Sequence, residues 1–195
     1  MSELNAAQRE YLTGLLGDLA PRVIEDLPPD FGAAPLTEDQ IAECERRGGA
    51  QLPDELREFL RVLGGAGVVT PEEFRPFHTT LGRVWDKLSE GPGTWWEMSD
   101  DFVADYWSRA EAQAAYDELN AGLKHTYEIA TERGILIDFR TDETDEVEEE
   151  GAIVLDPATG EVYVFPSPDR DSPNCMRLAG TFREWAAEDL GWPYL

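Results

Sequence analysis

The chain is 195 residues long and 42% hydrophobic, with six Trp, six Tyr and eight Phe, enough for a substantial core that needs no disulfide or metal to hold it. Against 16 Lys and Arg stand 41 Asp and Glu, a formal net charge of −25, which argues against nucleic acid and anionic membranes as partners. The two cysteines, Cys44 and Cys175, lie far apart without CxxC spacing, so free thiols in a reducing compartment are expected rather than a secreted disulfide framework.

Residues 1–19 place Leu4, Tyr11, Leu12, Leu15, Leu16 and Leu19 at helical spacing, with Pro21 just past the expected end. The opening Met1-Ser2-Glu3-Leu4-Asn5 has neither a basic n-region nor an apolar h-region. No apolar run approaches the ~20 residues of a membrane span, so a cytoplasmic protein off the membrane is expected. Leu27-Pro28-Pro29-Asp30-Phe31-Gly32 and Pro35 then make a stiff connector, because proline fixes φ and restricts the residue before it. The chain thus divides into an N-terminal helical extension with a Pro-rich connector, residues 1–35, and an α+β domain, residues 36–195.

Thr37-Glu38-Asp39-Gln40 is a capping box, and its helix should run to about Arg47, before Gly48-Gly49. After Leu52-Pro53, Leu56, Phe59, Leu60 and Leu63 fall at i, i+3, i+4 and i+7, a second helix closed by Gly64-Gly65. Pro71, Pro76, Gly82, Gly91, Pro92 and Gly93 break up the aromatic-rich middle, where short helices and irregular loops are expected. Ala112, Tyr116, Leu119, Leu123, Tyr127 and Ala130 restore helical periodicity between Arg109 and Glu132, and Gly134 ends it.

Ile135 to Phe139 reads as a strand by its branched and aromatic residues. Ala152–Leu155 and Glu161–Phe165 flank Asp156-Pro157-Ala158-Thr159-Gly160, with proline early and glycine late, as a tight hairpin requires. Phe182, Trp185, Ala186 and Leu190 form a closing helix with Thr181 as N-cap. The pattern is α+β: an antiparallel sheet braced by helices.

No catalytic or metal constellation emerges. His78 and His125 stand alone, without HxxxH spacing or a nearby cysteine pair, and read as a loop histidine and an exposed helix histidine. There is no GxSxG elbow and no GxxxxGK[ST] loop. No catalytic residue, cofactor or metal is therefore expected. Glu97, Asp100, Asp101 and Asp105 lie beside Trp95, Trp96, Tyr106 and Trp107, which leaves open a carbohydrate-binding or hydrolytic site in the Trp95–Trp107 region, against chance clustering of abundant acids with core aromatics.

Asp142, Glu143, Asp145, Glu146, Glu148, Glu149 and Glu150 are seven acids in one short run without a base. Self-repulsion should keep this run extended and mobile, either as a solvated loop or as a surface that steers a basic partner. The net charge has the same alternatives: a habit of the whole proteome, adaptation to high salt, or a dedicated basic partner. These seven acids, with Trp95 and Trp96 as anchors, are the candidate partner-binding residues.

Leu52-Pro53-Asp54-Glu55-Leu56, then Phe59-Leu60 and Gly64-Gly65, resemble the opening of the SUKH superfamily, where a Leu-Pro step leads into a helix ending in a Gly-rich turn. Ile153-Val154-Leu155-Asp156 and Gly160-Glu161-Val162-Tyr163 are similar to its paired strands, and Leu178 to Trp185 to its closing helix. Leu63 stands where the family usually has Asn, residues 1–35 lie outside the pattern, and 66–134 is longer than expected. The resemblance implies a helix-braced antiparallel sheet and, as in many bacterial members, a non-catalytic immunity protein that neutralises a cognate toxin, often a nuclease. It also leaves open an intracellular scaffold or regulatory protein.

Overall fold

The computed structural model describes residues 4–32, 34–79, 103–144, 147–165 and 175–194. Helix α1 spans Ala6–Leu16 and starts at a capping box the sequence reading did not single out: Asn5 Oδ1 accepts from the Gln8 amide, and Gln8 Oε1 from the Asn5 amide, each at 3.0 Å. After one 3-10 turn, α2 spans Ala20–Asp26. Pro21, expected to follow a helix end, sits in the first turn of α2, where its missing N–H leaves no hydrogen bond unmade.

Helix α3, Glu38–Gly48, carries the expected capping box, with Gln40 N donating to Thr37 Oγ1 at 3.3 Å and Thr37 N to Gln40 Oε1 at 2.9 Å. Helix α4, Asp54–Leu63, buries Leu56, Phe59, Leu60 and Leu63. It stops at Gly64 in the left-handed region, φ 67°, where a Cβ would collide with the Ala34 carbonyl. Only glycine fits both the φ and this close approach.

Five strands follow one another across an antiparallel sheet: β1 Arg75–Pro76, β2 Ile135–Thr144, β3 Val147–Leu155, β4 Val162–Phe165 and β5 Met176–Ala179. Between β1 and β2 runs helix α5, Arg109–Glu128, continued by a π-helical turn, Ile129–Arg133. Helix α6, Phe182–Gly191, closes the chain from the Thr181 N-cap. Ala152–Leu155 pairs with Val162–Phe165 as expected, Leu155 opposite Val162 and Ala152 opposite Phe165.

Strand alternation separates two cores. Ile135, Ile137, Ile153, Leu155 and Val162 join α1–α4 and α6 in the larger one, centred on Phe59, Leu60 and Phe182. Leu136, Val154, Tyr163 and Phe165 face the other way, against Phe77, Ile129 and Ala130. A bulge between Leu136 and Asp138 shifts the β2–β3 register. Residues 4–23 belong to the larger core through Leu12, Leu15, Leu16 and Val23, and buried Gln8 fastens them by donating to the carbonyls of Gly32, 2.6 Å, and Val62, 3.1 Å.

The acidic run differs from the sequence expectation. Its described part is no free loop: Asp142 pairs with Glu149 and Glu143 with Glu148 as β2 and β3 continue their antiparallel ladder. The backbone ladder, with branched and aromatic residues feeding it from Ile135 and Leu155, carries the acids along.

Candidate binding cleft

A cleft of about 790 Å³ opens between α5 and the smaller-core face of β4 and β5. Helix α5 begins at Ser108, whose Oγ accepts from Glu111 N at 3.2 Å. It presents Ala115, Glu118, Gly122 and His125 to the cleft at steps of three, four and three residues, one face of a helix. Tyr106 lines it from just before the helix start, and Glu161, Tyr163 and Arg177 from the sheet. Glu161 and Tyr163 are two residues apart at the start of β4 and so share a face, while Arg177 is the register partner of Tyr163 on β5.

A chain of hydrogen bonds fixes these side chains. The Tyr163 hydroxyl donates to Glu161 Oε2 at 2.7 Å, and Arg177 Nη1 donates to Glu161 Oε1 at 3.0 Å. A phenol has one proton, so its oxygen, 2.8 Å from His125 Nε2, accepts there, which places the histidine proton on Nε2. The Tyr163 hydroxyl and Arg177 together hold the Glu161 carboxyl below its usual range. Burial, and then the Glu161 carboxylate, push the Tyr163 hydroxyl up, so it stays protonated as a donor.

Cys175 Sγ lies 3.2 Å from Thr126 Oγ1, both lining the cleft, and burial raises its thiol. That is the opposite of what a thiolate nucleophile needs. Both cysteines are free. Among the described residues no three His, Cys, Asp or Glu side chains are grouped to hold a metal ion, and no helix is long and apolar enough to cross a membrane.

Gly122 is the irregular feature of α5. Glycine inside a helix costs ~1 kcal/mol relative to alanine. Among the described residues packing does not require it, since a Cβ there would have nothing within 4 Å. Its effect is to leave the middle of the helix face bare where it borders the cleft.

None of the described sequence-predicted partner residues lines the cleft. Asp142, Glu143, Glu148, Glu149 and Glu150 take positions on the β2–β3 hairpin. Asp145, Glu146, Trp95 and Trp96 lie outside the described residues, as do Trp85, Glu97, Asp100 and Asp101. Trp107 is fully exposed, 100%, next to Tyr106 at the cleft. His125, read as an exposed helix histidine, is half-buried and bonded to Tyr163. Sequence reasoning missed the cleft, because its two walls, Ala115 to Thr126 and Glu161 to Arg177, are far apart in the chain; the usable signals were Gly122 inside a helical pattern and the i, i+2 pair Glu161 and Tyr163.

An antiparallel five-stranded sheet with helices against both faces is an α+β domain. The chain belongs to the SMI1/KNR4 family (SUKH-1), whose model matches residues 35–188. Membership is consistent with an immunity-protein-like role and a protein partner. No curated protein and no solved structure matches the chain significantly.

Proposed function

We propose that this is a non-catalytic immunity protein that acts in the cytoplasm by binding and neutralising a cognate bacterial toxin of basic, nuclease-like character. The family match over residues 35–188 carries this reading. The formal net charge of −25 supports the chemistry of the partner, because a protein that covers a basic nucleic-acid-binding surface gains encounter rate and selectivity from a negative field. Residues 1–35 serve as a helical extension of the binding domain, and the Asp142–Glu150 run contributes to the field.

The test is co-expression with the toxin-like product of the adjacent gene in a sensitive host. Restored growth, together with a complex that survives gel filtration, is the expected result. Growth arrest unchanged by co-expression, with no complex at micromolar concentrations, rejects the reading for that pair.

A further inference from the structure

We propose that the cleft between α5 and strands β4–β5 is an arginine-binding site that receives a guanidinium from a basic segment of a protein partner. That the segment belongs to a toxin rests on the reading above; the cleft chemistry stands apart from it.

Among the described residues, the lining carries two carboxylates, Glu118 and Glu161, and one guanidinium, Arg177. The cationic group of the lining, Arg177, already donates to Glu161, and among the described residues no cation is paired with Glu118. The missing complement is a cation with several N–H groups. Guanidinium supplies five in a planar fork, whereas an ammonium supplies three on a more strongly hydrated point.

Gly122 is the second, independent observation. It weakens α5 without relieving any contact among the described residues, and it lines the cleft. Local rules broken without a structural return are characteristic of functional positions. The cleft volume, about 790 Å³, falls within the range of ligand sites and admits a side chain with part of its backbone.

The experiment is an amide-resolved NMR titration of the full chain with N-acetylarginine methylamide, against the citrulline analogue, which has the same shape without the charge. Saturable shifts centred on Gly122, His125 and Tyr163, at least about tenfold weaker for citrulline, are expected. Gly122→Leu fills the cleft where no described residue crowds the added side chain's Cβ; it should keep or raise the melting temperature and abolish those shifts. Glu118→Gln, which leaves the helix intact, should weaken binding by about tenfold. Shifts scattered over the acidic surface without saturation, or unchanged in Gly122→Leu, overturn the site. Binding of the adjacent gene's product provides the second arm. If Gly122→Leu weakens it at least about tenfold, the cleft receives that partner; if wild type and Gly122→Leu bind and protect equally, the immunity reading stands and the partner-docking cleft is overturned. Specific arginine binding in a protein that binds no such product supports the cleft and removes the immunity reading alone.

Discussion

Arg133 Nε donates to Asp156 Oδ2 across 2.9 Å, tying the π-helical end of α5 to the turn between β3 and β4. Asp156 is wholly buried, and its other oxygen accepts from Ala158 N at 3.0 Å, so one carboxylate both shapes the turn and anchors the helix. Truncating it strands a partly buried guanidinium that retains Glu128 at 3.4 Å. Arg133 is 31% exposed, so the loss should fall below the ~3–5 kcal/mol of a fully buried pair, at about 2–4 kcal/mol for Asp156→Ala. Urea unfolding measures it, and a loss under about 1 kcal/mol would show that the pair adds little beyond solvent-exposed ones.

Phe59 is fully buried, with its ring edge-on to Phe182 at 5.3 Å and to Tyr11 at 6.3 Å. Three helices meet on this one side chain. Phe59→Ala should cost about 3–5 kcal/mol, the transfer term plus an unfilled cavity. Retention of wild-type stability would place the centre of the larger core elsewhere.

Helices α3 and α4 were legible because their signals are local: Thr37 and Gln40 cap one end, Gly64 the other, and Leu56, Phe59, Leu60 and Leu63 mark one face. The β3–β4 hairpin was legible for the same reason, with Pro157 and Gly160 at fixed places in its turn. The length of β2 and β3 was not. Thr141–Thr144 and Val147–Glu150 look like a solvated loop by composition, yet they continue a ladder nucleated by Ile135–Ile137 and Ile153–Leu155, and tertiary pairing overrides propensity there. The cleft was illegible because His125 and Tyr163 meet only when α5 packs on the sheet.

Tyr163→Phe removes the donor to Glu161 and the acceptor for His125 while keeping the ring in the smaller core. Hydrogen bonds to charged groups are worth ~1.5–3 kcal/mol, and the Glu161 side chain is 22% exposed, so about 1–2 kcal/mol is expected at pH 7. The folded-state Glu161 carboxyl is depressed. Its contribution is therefore present above the ordinary Glu range and lost as pH falls through the folded value. The gap between wild type and variant should be widest near neutrality and close on acidification below about pH 4. A gap that is constant down to pH 3 would mean that Glu161 ionisation is not what the phenol supports.

The acidic hairpin should limit stability and accelerate association at once. Register places Asp142 opposite Glu149 and Glu143 opposite Glu148, and like charges directly across an antiparallel pair are destabilising, by ~0.2–1 kcal/mol each. Replacing all seven acids of residues 142–150 with Asn or Gln removes that repulsion, so the variant should be more stable than wild type at low salt. The advantage should shrink as salt screens the wild-type charges, because the Debye length falls from ~10 Å at 0.1 M to ~3 Å at 1 M. Binding should respond in the opposite sense. A strong local field raises on-rates by roughly 10–10³-fold at low salt, so the variant should associate more slowly with the adjacent gene's product in stopped flow. Dissociation should change little, since exposed rim charges govern encounter more than residence. Stability gained with on-rates unchanged at every salt concentration would reject the steering role. Slower association with stability gained would show that the fold carries a repulsive hairpin for the sake of its partner.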